Sequence, residues 1–425
     1  MSFPYSEDLL QFIWEFQLYN QDGLKTTEGD SIQIIKQGLL NTNSGPDFEN
    51  SVVKIGNQAF YGSIEIHKNT AEWNSHKHHE DVAYNNVILH VCLEGSNHCL
   101  RQDGTVLKTL LLSNRINEKA LKSYEMLMLE KPFVACEGSV NQISGFDISS
   151  WLDRVGIEKL EARSESIKTY LNLFEGNWNQ AFFITLCRSF GMPINSDAFE
   201  ELGMKLPFEI LQKHQNSLFQ IESLLFGTMG LLSADKQDTY YSGLRSEYQF
   251  LKEKYKLKTV TTKIKMGRMR PMNLPHVKLS QLAALIHHVP HFVSHILQLP
   301  PTDEIKNLLS FETSKYWETH YSFERESINK KKKISKGFVN HLFLNALVPF
   351  VFFYQKMKNH ENQDVALSYL ESIPAESNSI INKWGDLEVK AENALISQAL
   401  LNLYKTYCKP KRCLECHIGR KIILK

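Results

Sequence analysis

The spacing of apolar and polar residues changes from strand-like to helical along the chain. Apolar residues alternate with polar ones in 31–38, and two further short runs, 51–56 and 60–67, lie close enough together to form a hairpin. The run 86–94 is almost continuously apolar, which is typical of a central strand buried on both faces. A last strand is predicted at 106–112, and helical spacing predicts helices over 6–20, 72–85 and 117–129.

Helical spacing dominates the rest of the chain. The segment 151–174 is amphipathic, 178–191 continues in the same way, and prolines punctuate the remaining residues. Polar residues and a proline interrupt the apolar run 338–354, so we expect a buried helix and no membrane partner. The predicted fold class is therefore α+β, with a mixed-sheet α/β domain over 1–135 and a large all-α domain over 136–425.

Composition narrows the class of protein only slightly. The chain has 425 residues, 42% of them hydrophobic, which is enough for two or three globular domains. The formal net charge is +1, so binding to nucleic acid would depend on local basic patches rather than on overall charge. The first residues lack the basic and apolar regions of a signal peptide, and we therefore expect a cytoplasmic protein with reduced thiols.

Acidic residues and histidines crowd into a short stretch between the predicted strands. Asp47 directly precedes a strand, and Glu65 and His67 lie on the next strand, two residues apart and so on one face. Carboxylates on adjacent strands bind Mg²⁺ or Mn²⁺, and such an ion activates water and shields a phosphoryl group. Further candidate metal ligands, in the segment HKHHED, are His76, His78 and Asp81. An exposed polar helix face is the alternative interpretation of that segment.

The residues Pro46-Asp47 and Glu65-Ile66-His67 are similar to the motif of the PD-(D/E)xK nuclease superfamily, and the predicted order of elements is similar too. The resemblance implies a nuclease-like core within 1–135, in which Asp47 and Glu65 bind Mg²⁺ or Mn²⁺. It also implies that His67 orients or deprotonates the attacking water. His67 replaces the lysine of that motif, and a neutral imidazole supplies no permanent positive charge.

Three functional hypotheses arise from this stretch. The first is a metal-dependent nuclease-like protein that hydrolyses DNA or RNA phosphodiesters. The second, favoured by the histidine at position 67, is a catalytically inactive nucleic-acid-binding protein on the same core. The third is a zinc metallohydrolase that acts on a small molecule through a histidine-rich centre.

A basic segment offers candidate contacts to the phosphates of a nucleic-acid substrate. The residues singled out there are Lys265, Arg268 and Arg270. Guanidinium groups chelate phosphate or carboxylate, so structural salt bridges are the alternative role for the two arginines.

Three cysteines recur at close spacing near residue 410. Cys408, Cys413 and Cys416 follow a C-x4-C-x2-C pattern, whereas a structural zinc ion or an iron–sulfur cluster needs four ligands. Cys136, at the predicted junction of the two domains, is the candidate fourth ligand. We therefore predict a zinc ion or an Fe–S cluster at these four residues, with reduced thiols as the alternative.

Several blocks of the sequence are individually distinctive. They are SGPDF, GSIEIH, the segment 73–84, VILHV, RMRPMNLP and the cysteine-rich segment after residue 407. Together they resemble a bacterial family known as a domain of unknown function, DUF2851. The blocks extend from Ser44 to Gly419, so the resemblance implies family membership over nearly the whole chain and implies no particular activity.

Overall fold

The chain folds into two units of different composition. The structure is a computed structural model that describes residues 6–129, 131–358 and 364–425. The first unit comprises Met1–Trp151 together with Tyr404–Lys425, and the second comprises Leu152–Leu403. A mixed sheet lies in the first unit and the second is mainly helical, so the predicted α+β fold class is confirmed.

Six strands of the first unit form one mixed sheet. The strands of the described chain are β1 (Ile32–Lys36), β2 (Leu39–Leu40), β3 (Phe48–Ile55), β4 (Gln58–Asn69), β5 (Val87–Glu94), β6 (Cys99–Leu100), β7 (Val106–Leu107), β8 (Thr109–Leu111), β9 (His320–Ser322) and β10 (Arg325–Glu326). The sheet order is β1-β3-β4-β5-β8, with β2 paired to β3. Strand β5 is parallel to both β4 and β8, whereas the other pairs are antiparallel. The continuous burial of β5 results from this interior position.

The predicted hairpin is the pair β3–β4, and its register positions the residues of interest. Ile55 pairs with Gln58 across a tight turn, where Gly56 has φ +58°, a conformation that glycine adopts without strain. Strand β4 then pairs with β5 so that Glu65 lies beside His90. Side chains of paired residues project from the same face of a sheet, so Glu65 and His90 share one face.

Helices accompany the sheet of the first unit. Helix α1 (Glu7–Glu15) packs against β4 through an apolar side that includes Leu10 and Ile13. It begins with Glu7 and Asp8, whose charges favour the positive end of the helix dipole. Two further helices are α2 (Glu72–Ser75) and α3 (Glu118–Met128).

The predicted single helix over 72–85 is wrong. Helix α2 is followed by two separate 3₁₀ turns, His78–Glu80 and Val82–Tyr84. Lys77 has φ +61°, a left-handed conformation that ends the first helix and that spacing of apolar residues does not reveal. His76, His78 and Asp81 therefore do not lie on one continuous helix.

Fifteen helices lie wholly or mainly in the second unit of the described chain. They are α4 (Gly145–Leu173), α5 (Trp178–Phe190), α6 (Met192–Lys205), α7 (Phe208–Lys213), α8 (Leu218–Thr228), α9 (Thr239–Tyr255), α10 (Pro275–His288), α11 (Phe292–Ile296), α12 (Thr302–Leu308), α13 (Tyr316–Thr319), α14 (Lys336–Leu342), α15 (Val348–Met357), α16 (Asp364–Glu371), α17 (Ser379–Asp386) and α18 (Ala394–Leu403). A π-helical turn, Phe343–Leu347, joins α14 to α15.

The helical run Lys336–Met357 is, within the described residues, the one segment long and apolar enough to cross a membrane. Of its most apolar window, 72% is buried inside the protein. Its side chains, among them Phe343, Leu347 and Phe350, belong to the hydrophobic core of the second unit. The run therefore packs as the buried helix that the sequence predicts.

A glycine permits close packing of α8 against α9. A Cβ atom at Gly227 would lie 2.1 Å from the ring of Tyr248, far inside van der Waals contact.

We expect Gly227→Ala to destabilise the protein by about 3 kcal/mol, because the ring or the helix must move. The urea concentration at the midpoint of unfolding, followed by circular dichroism, measures this loss of stability. Gly385→Ala, in α17 with open space around it, is the control and should not lower the midpoint. Equal midpoints for the wild type and Gly227→Ala would contradict the packing argument.

Glu222 in α8 is a buried carboxyl that makes the stability of the second unit depend on pH. It accepts hydrogen bonds from Tyr240, from Ser314 at 3.0 Å and from Trp317 at 3.1 Å, and it is fully buried. Burial raises its pKa from 4.5 to about 7. The stabilisation linked to this group is therefore fully present below pH 4.5 and is lost as the pH rises through 7.

We expect Glu222→Gln to remove this fall in stability between pH 5 and pH 8, because glutamine does not ionise. The fall in the wild type should not exceed about 1.4 kcal/mol per pH unit for one group. The fall in stability is measured from the urea midpoints of the wild type and of Glu222→Gln at pH 5 and at pH 8. Glu253→Gln, at an exposed position of α9, is the matched control and should behave like the wild type. The same pH dependence in Glu222→Gln would argue against this assignment.

The segment Tyr404–Lys425 belongs to the first unit, which differs from the predicted domain of residues 136–425. It contains the π-helical turn Tyr404–Cys408 and helix α19 (His417–Ile423), which packs against α3. Lys411 also donates a hydrogen bond of 2.9 Å to the carbonyl oxygen of Met128. Residues 404–425 join the first unit through tertiary contacts, which the local spacing of apolar and polar residues does not predict.

Candidate metal centre

Asp47 and Glu65 are interlocked by hydrogen bonds at one end of the β3–β4 pair. The backbone N–H of Asp47 donates to Glu65 Oε2 at 3.1 Å, and the backbone N–H of Ile66 donates to Asp47 Oδ2 at 2.8 Å. Gln11, from α1, donates to Asp47 Oδ1 at 2.8 Å. Both oxygens of Asp47 thus accept hydrogen bonds from the protein, whereas Glu65 Oε1 takes no part in these bonds.

Two imidazole nitrogens face Glu65 Oε1. His67 Nε2 lies 3.5 Å from it and His78 Nε2 lies 3.3 Å from it. Both nitrogens are buried and neither has a hydrogen-bond partner. Two atoms bound at about 2.0–2.1 Å to a tetrahedral zinc ion are about 3.3–3.4 Å apart. Glu65 Oε1 and the two nitrogens are therefore close enough together to surround one ion.

A third histidine completes the group. One nitrogen from each of His67, His76 and His78 lies within 4.8 Å of the others. His67 is fully buried and His78 is 9% exposed, whereas His76 is exposed to solvent. We call these three residues, together with Glu65, the histidine centre. Its exposed member leaves one side of the centre accessible to solvent.

Buried neighbours fix the orientation of the His67 ring. His67 Nδ1 lies 2.8 Å from His90 Nε2, and Cys92 Sγ lies 3.1 Å from the same atom of His90. If the proton is assigned to His67 Nδ1, this nitrogen donates to His90 and the lone pair of His67 Nε2 points at the centre. Hydrogen bonding of the second ring nitrogen is typical of histidines that bind metals. The ring of Trp73 also packs against His78 and His90.

Burial controls the charges of these groups. It lowers the pKa of His67 to about 2 and that of His90 to about 3, so both imidazoles are neutral, and a neutral imidazole is the form that binds a metal. Burial also raises the pKa of Glu65, and burial followed by repulsion from Glu65 raises that of Asp47. Carboxylates grouped in this way require a compensating cation to ionise readily.

Glu7 is a residue of the site that we did not predict. It lies in the first turn of α1, and burial followed by the charges of Asp47, Glu72 and Glu65 raises its pKa to about 7. Gln11, which binds Asp47, is one helical turn further along the same side of α1. The available signal was the spacing of Glu7 and Gln11, two polar residues four positions apart in α1. Acidic residues in the first turn of a helix are usually explained by the helix dipole, so the sequence alone did not identify Glu7 as a site residue.

Asp81 lies outside the three-histidine group. Its Oδ1 accepts a hydrogen bond of 2.9 Å from the backbone N–H of Ala83, so the carboxylate caps the turn Val82–Tyr84, and it is exposed. Tyr84, at the end of that turn, stacks on the ring of His78 with 3.8 Å between centroids. The acid therefore supports the histidine centre indirectly, by holding the turn that carries this tyrosine.

The basic candidates and the cysteines lie in different units. Lys265, Arg268 and Arg270 belong to the second unit, are exposed, and form no ion pair with the described residues. Lys265 is anchored through its backbone, since its N–H donates to Asn195 Oδ1 at 2.8 Å. The four predicted cysteine ligands all belong to the first unit: Cys136, Cys408, Cys413 and Cys416.

The fold and the site together define an α+β protein that carries a buried centre of three histidines and a carboxylate on its mixed sheet. The sequence profile of the family described as "Protein of unknown function (DUF2851)" matches residues 7–379, and the chain belongs to this family. The match includes the histidine centre and Cys136 and ends before Cys408. Comparison with curated proteins and with solved structures gives no significant match.

Proposed function

We propose that this protein is a metal-dependent hydrolase in which His67, His76 and His78 bind a divalent transition-metal ion beside Glu65. The observation that carries the proposal is the placement of Glu65 Oε1 at 3.5 Å and 3.3 Å from two buried imidazole nitrogens without hydrogen-bond partners. Imidazole ligands suit zinc and manganese better than Mg²⁺, which prefers oxygen ligands. The ligand set therefore favours Zn²⁺ or Mn²⁺ over the Mg²⁺ considered from the sequence.

Glu65 is the group that handles the proton in this proposal. A bound divalent ion lowers the pKa of a coordinated water, and a carboxylate beside the ion accepts the proton released. Asp47 positions Glu65, because its backbone N–H holds Glu65 Oε2 and leaves Oε1 directed at the histidines. His67 serves as a ligand here, rather than as the base that the sequence motif suggested.

Phosphodiesters are the substrate class that we favour. The acid pair Asp47 and Glu65, and the order of a helix, an antiparallel hairpin and a parallel strand, support this choice together with the resemblance to PD-(D/E)xK nucleases. The exposed cations Lys265, Arg268 and Arg270 would add salt-dependent contacts to a nucleic-acid substrate. The proposed activity is hydrolysis of DNA or RNA phosphodiesters.

A second candidate function is a zinc hydrolase that acts on a small molecule. The three imidazole ligands favour it, because three histidines and a bound water are a typical ligand set of catalytic zinc. Only His76 of the three is exposed, which would restrict access to a small substrate. Cleavage of different substrates distinguishes the two candidates.

The test uses full-length protein freed of metal by a chelator and reloaded with Zn²⁺, Mn²⁺ or Mg²⁺. Substrates are labelled single- and double-stranded DNA, labelled RNA and bis(p-nitrophenyl) phosphate, with p-nitrophenyl acetate for the second candidate. We expect phosphodiester cleavage with Zn²⁺ or Mn²⁺, and a loss of at least about 100-fold in kcat/KM in Glu65→Gln. Glu80→Gln, at an exposed position, is the control and should retain activity.

Two other outcomes decide against phosphodiester hydrolysis, and a third decides only against the role of Glu65. Cleavage of the acetate ester alone favours the small-molecule hydrolase. Salt-sensitive binding of nucleic acid without turnover, with any of the three ions, favours the catalytically inactive binding protein. Equal activity of Glu65→Gln and the wild type removes Glu65 from the mechanism.

A further inference from the structure

Four cysteines of the first unit lie close together, although they are far apart in sequence. Cys136, Cys413 and Cys416 are 9%, 7% and 7% exposed, and Cys408 is partly buried. Burial, followed by the proximity of the other three thiols, raises the pKa of Cys408, and burial, followed by the proximity of Cys416 and Cys413, raises the pKa of Cys136. All four are free thiols rather than disulfides. We call these four residues the cysteine cluster.

The backbone around Cys413 and Cys416 is arranged as a tight ligand loop. The Cys416 sulfur accepts hydrogen bonds from the backbone N–H groups of Ile418 and Gly419. A Cβ atom at Gly419 would lie 2.2 Å from the carbonyl oxygen of Cys413, so the loop closes only because residue 419 is glycine. Burial raises the pKa of Cys416, and these donors counteract part of that shift by stabilising the thiolate, the form that binds metals.

Cys136 approaches from a separate turn. Its carbonyl oxygen accepts hydrogen bonds from Ser139 at 2.8 Å and from Val140 at 2.9 Å, and these bonds fix the turn that comes after α3. The position of Cys136 is thus set by its own loop and not by the loop of Cys413 and Cys416. Two independently fixed segments converge on one buried site.

The spacing of the thiols distinguishes between one ion and a cluster of ions. Sulfurs bound at about 2.3 Å to a single tetrahedral zinc ion lie about 3.8 Å apart. Across residues 6–129, 131–358 and 364–425, the histidine triad is the group of at least three candidate ligands whose atoms all lie within 4.8 Å of one another. No three of the four sulfurs, all within the described chain, meet this limit of 4.8 Å, which favours a cluster in which each sulfur binds a different metal atom over one shared ion.

We propose that Cys136, Cys408, Cys413 and Cys416 bind a tetranuclear iron–sulfur cluster. Each cysteine thiol replaces one thiolate ligand of a preassembled cluster and transfers its proton to the departing thiolate, so four Fe–S bonds form, four break and no oxidation state changes. The cluster joins the turn after α3 to the segment that ends in α19, and it accounts for four converging thiols inside the protein. This inference is independent of the function proposed for the histidine centre.

The experiment uses full-length protein in the His78→Ala background, which removes the other metal centre from the count. The protein is purified anaerobically and reconstituted with sulfide and equal amounts of ferrous and ferric iron, which together supply the oxidation state of a cluster with charge 2+. We expect about four iron atoms and four acid-labile sulfides per chain, with visible absorption that dithionite bleaches. The Mössbauer spectrum of the ⁵⁷Fe-loaded protein identifies the cluster type without any cysteine variant.

Cysteine variants test the four assigned ligands. Cys413→Ser and Cys136→Ser should each lose most of the bound iron, whereas Cys99→Ser, a buried thiol of the same unit, should retain it. One zinc ion per chain that is lost in Cys413→Ser, or absence of iron after reconstitution, would overturn the proposal. Retention of the full cluster by both variants would overturn the ligand assignment.

Discussion

The variant His78→Ala is expected to lose stoichiometric binding of Zn²⁺ or Mn²⁺ at the histidine centre. His78 Nε2 is one of two buried nitrogens that face Glu65 Oε1, and its removal leaves a pair of histidines instead of three. Loss of an outer-shell partner alone weakens metal binding by about 10–100-fold, so loss of a ligand should weaken it by more. Equilibrium dialysis of chelator-treated protein against each ion measures the affinity.

The adjacent histidine provides a matched control. His79 lies next in the chain, pairs with Glu80 at 3.5 Å, and is not one of the three grouped histidines. His79→Ala should therefore bind one ion with wild-type affinity at the histidine centre. Equal binding by His78→Ala and the wild type, measured in the Cys413→Ser background to exclude the cysteine cluster, would refute the centre.

The second large effect is expected for Trp73→Ala, which should destabilise the first unit by about 3–5 kcal/mol. The Trp73 side chain is fully buried, and its indole N–H donates to the carbonyl oxygen of Leu100 at 2.9 Å. It packs with Val87, Cys99 and Leu107 in a small separate core. Truncation leaves a cavity beside the His78 ring of the histidine centre and removes the indole hydrogen bond to the Leu100 carbonyl oxygen.

Hydrogen exchange followed by mass spectrometry is the appropriate measurement, because two units need not unfold in one step. Peptides from β5 and from the β6–β7 hairpin should lose protection in Trp73→Ala, and metal affinity should fall with it. Trp73→Phe should restore part of the protection. Tyr61→Ala, an exposed position of β4, is the control and should change stability by less than about 0.5 kcal/mol. Unchanged protection in Trp73→Ala would contradict the role of this core.

Strands and the carboxylate pair are predictable from this sequence for local reasons. A period of two residues places Glu65 and His67 on one face, and a hairpin brings Asp47 to the end of the neighbouring strand. Continuous apolar character likewise identified β5 as an interior strand. These inferences need only the geometry of an extended chain.

The remaining features depend on tertiary structure or on single backbone angles. The left-handed conformation of Lys77 divides a predicted helix and determines how His76 and His78 are presented. Glu7 joins the site because α1 packs on β4, and Cys136 meets the other cysteines because α19 returns to α3. The sequence gives the chemical type of each of these residues, but only the folded structure shows which of them lie close together.

The first unit is formed by two segments that are far apart in the chain, and this has a consequence for its synthesis on the ribosome. Its sheet is complete once β8 has emerged from the ribosome, yet residues 404–425, which cover α3, emerge only after the whole helical unit. The surface of α3 that receives α19 therefore stays uncovered while about 250 further residues are translated, which at 5–20 residues per second takes tens of seconds. Cys136 has none of its three proposed partners in this interval, so a cluster of the kind proposed above would bind to all four ligands only after residue 416 has been synthesised.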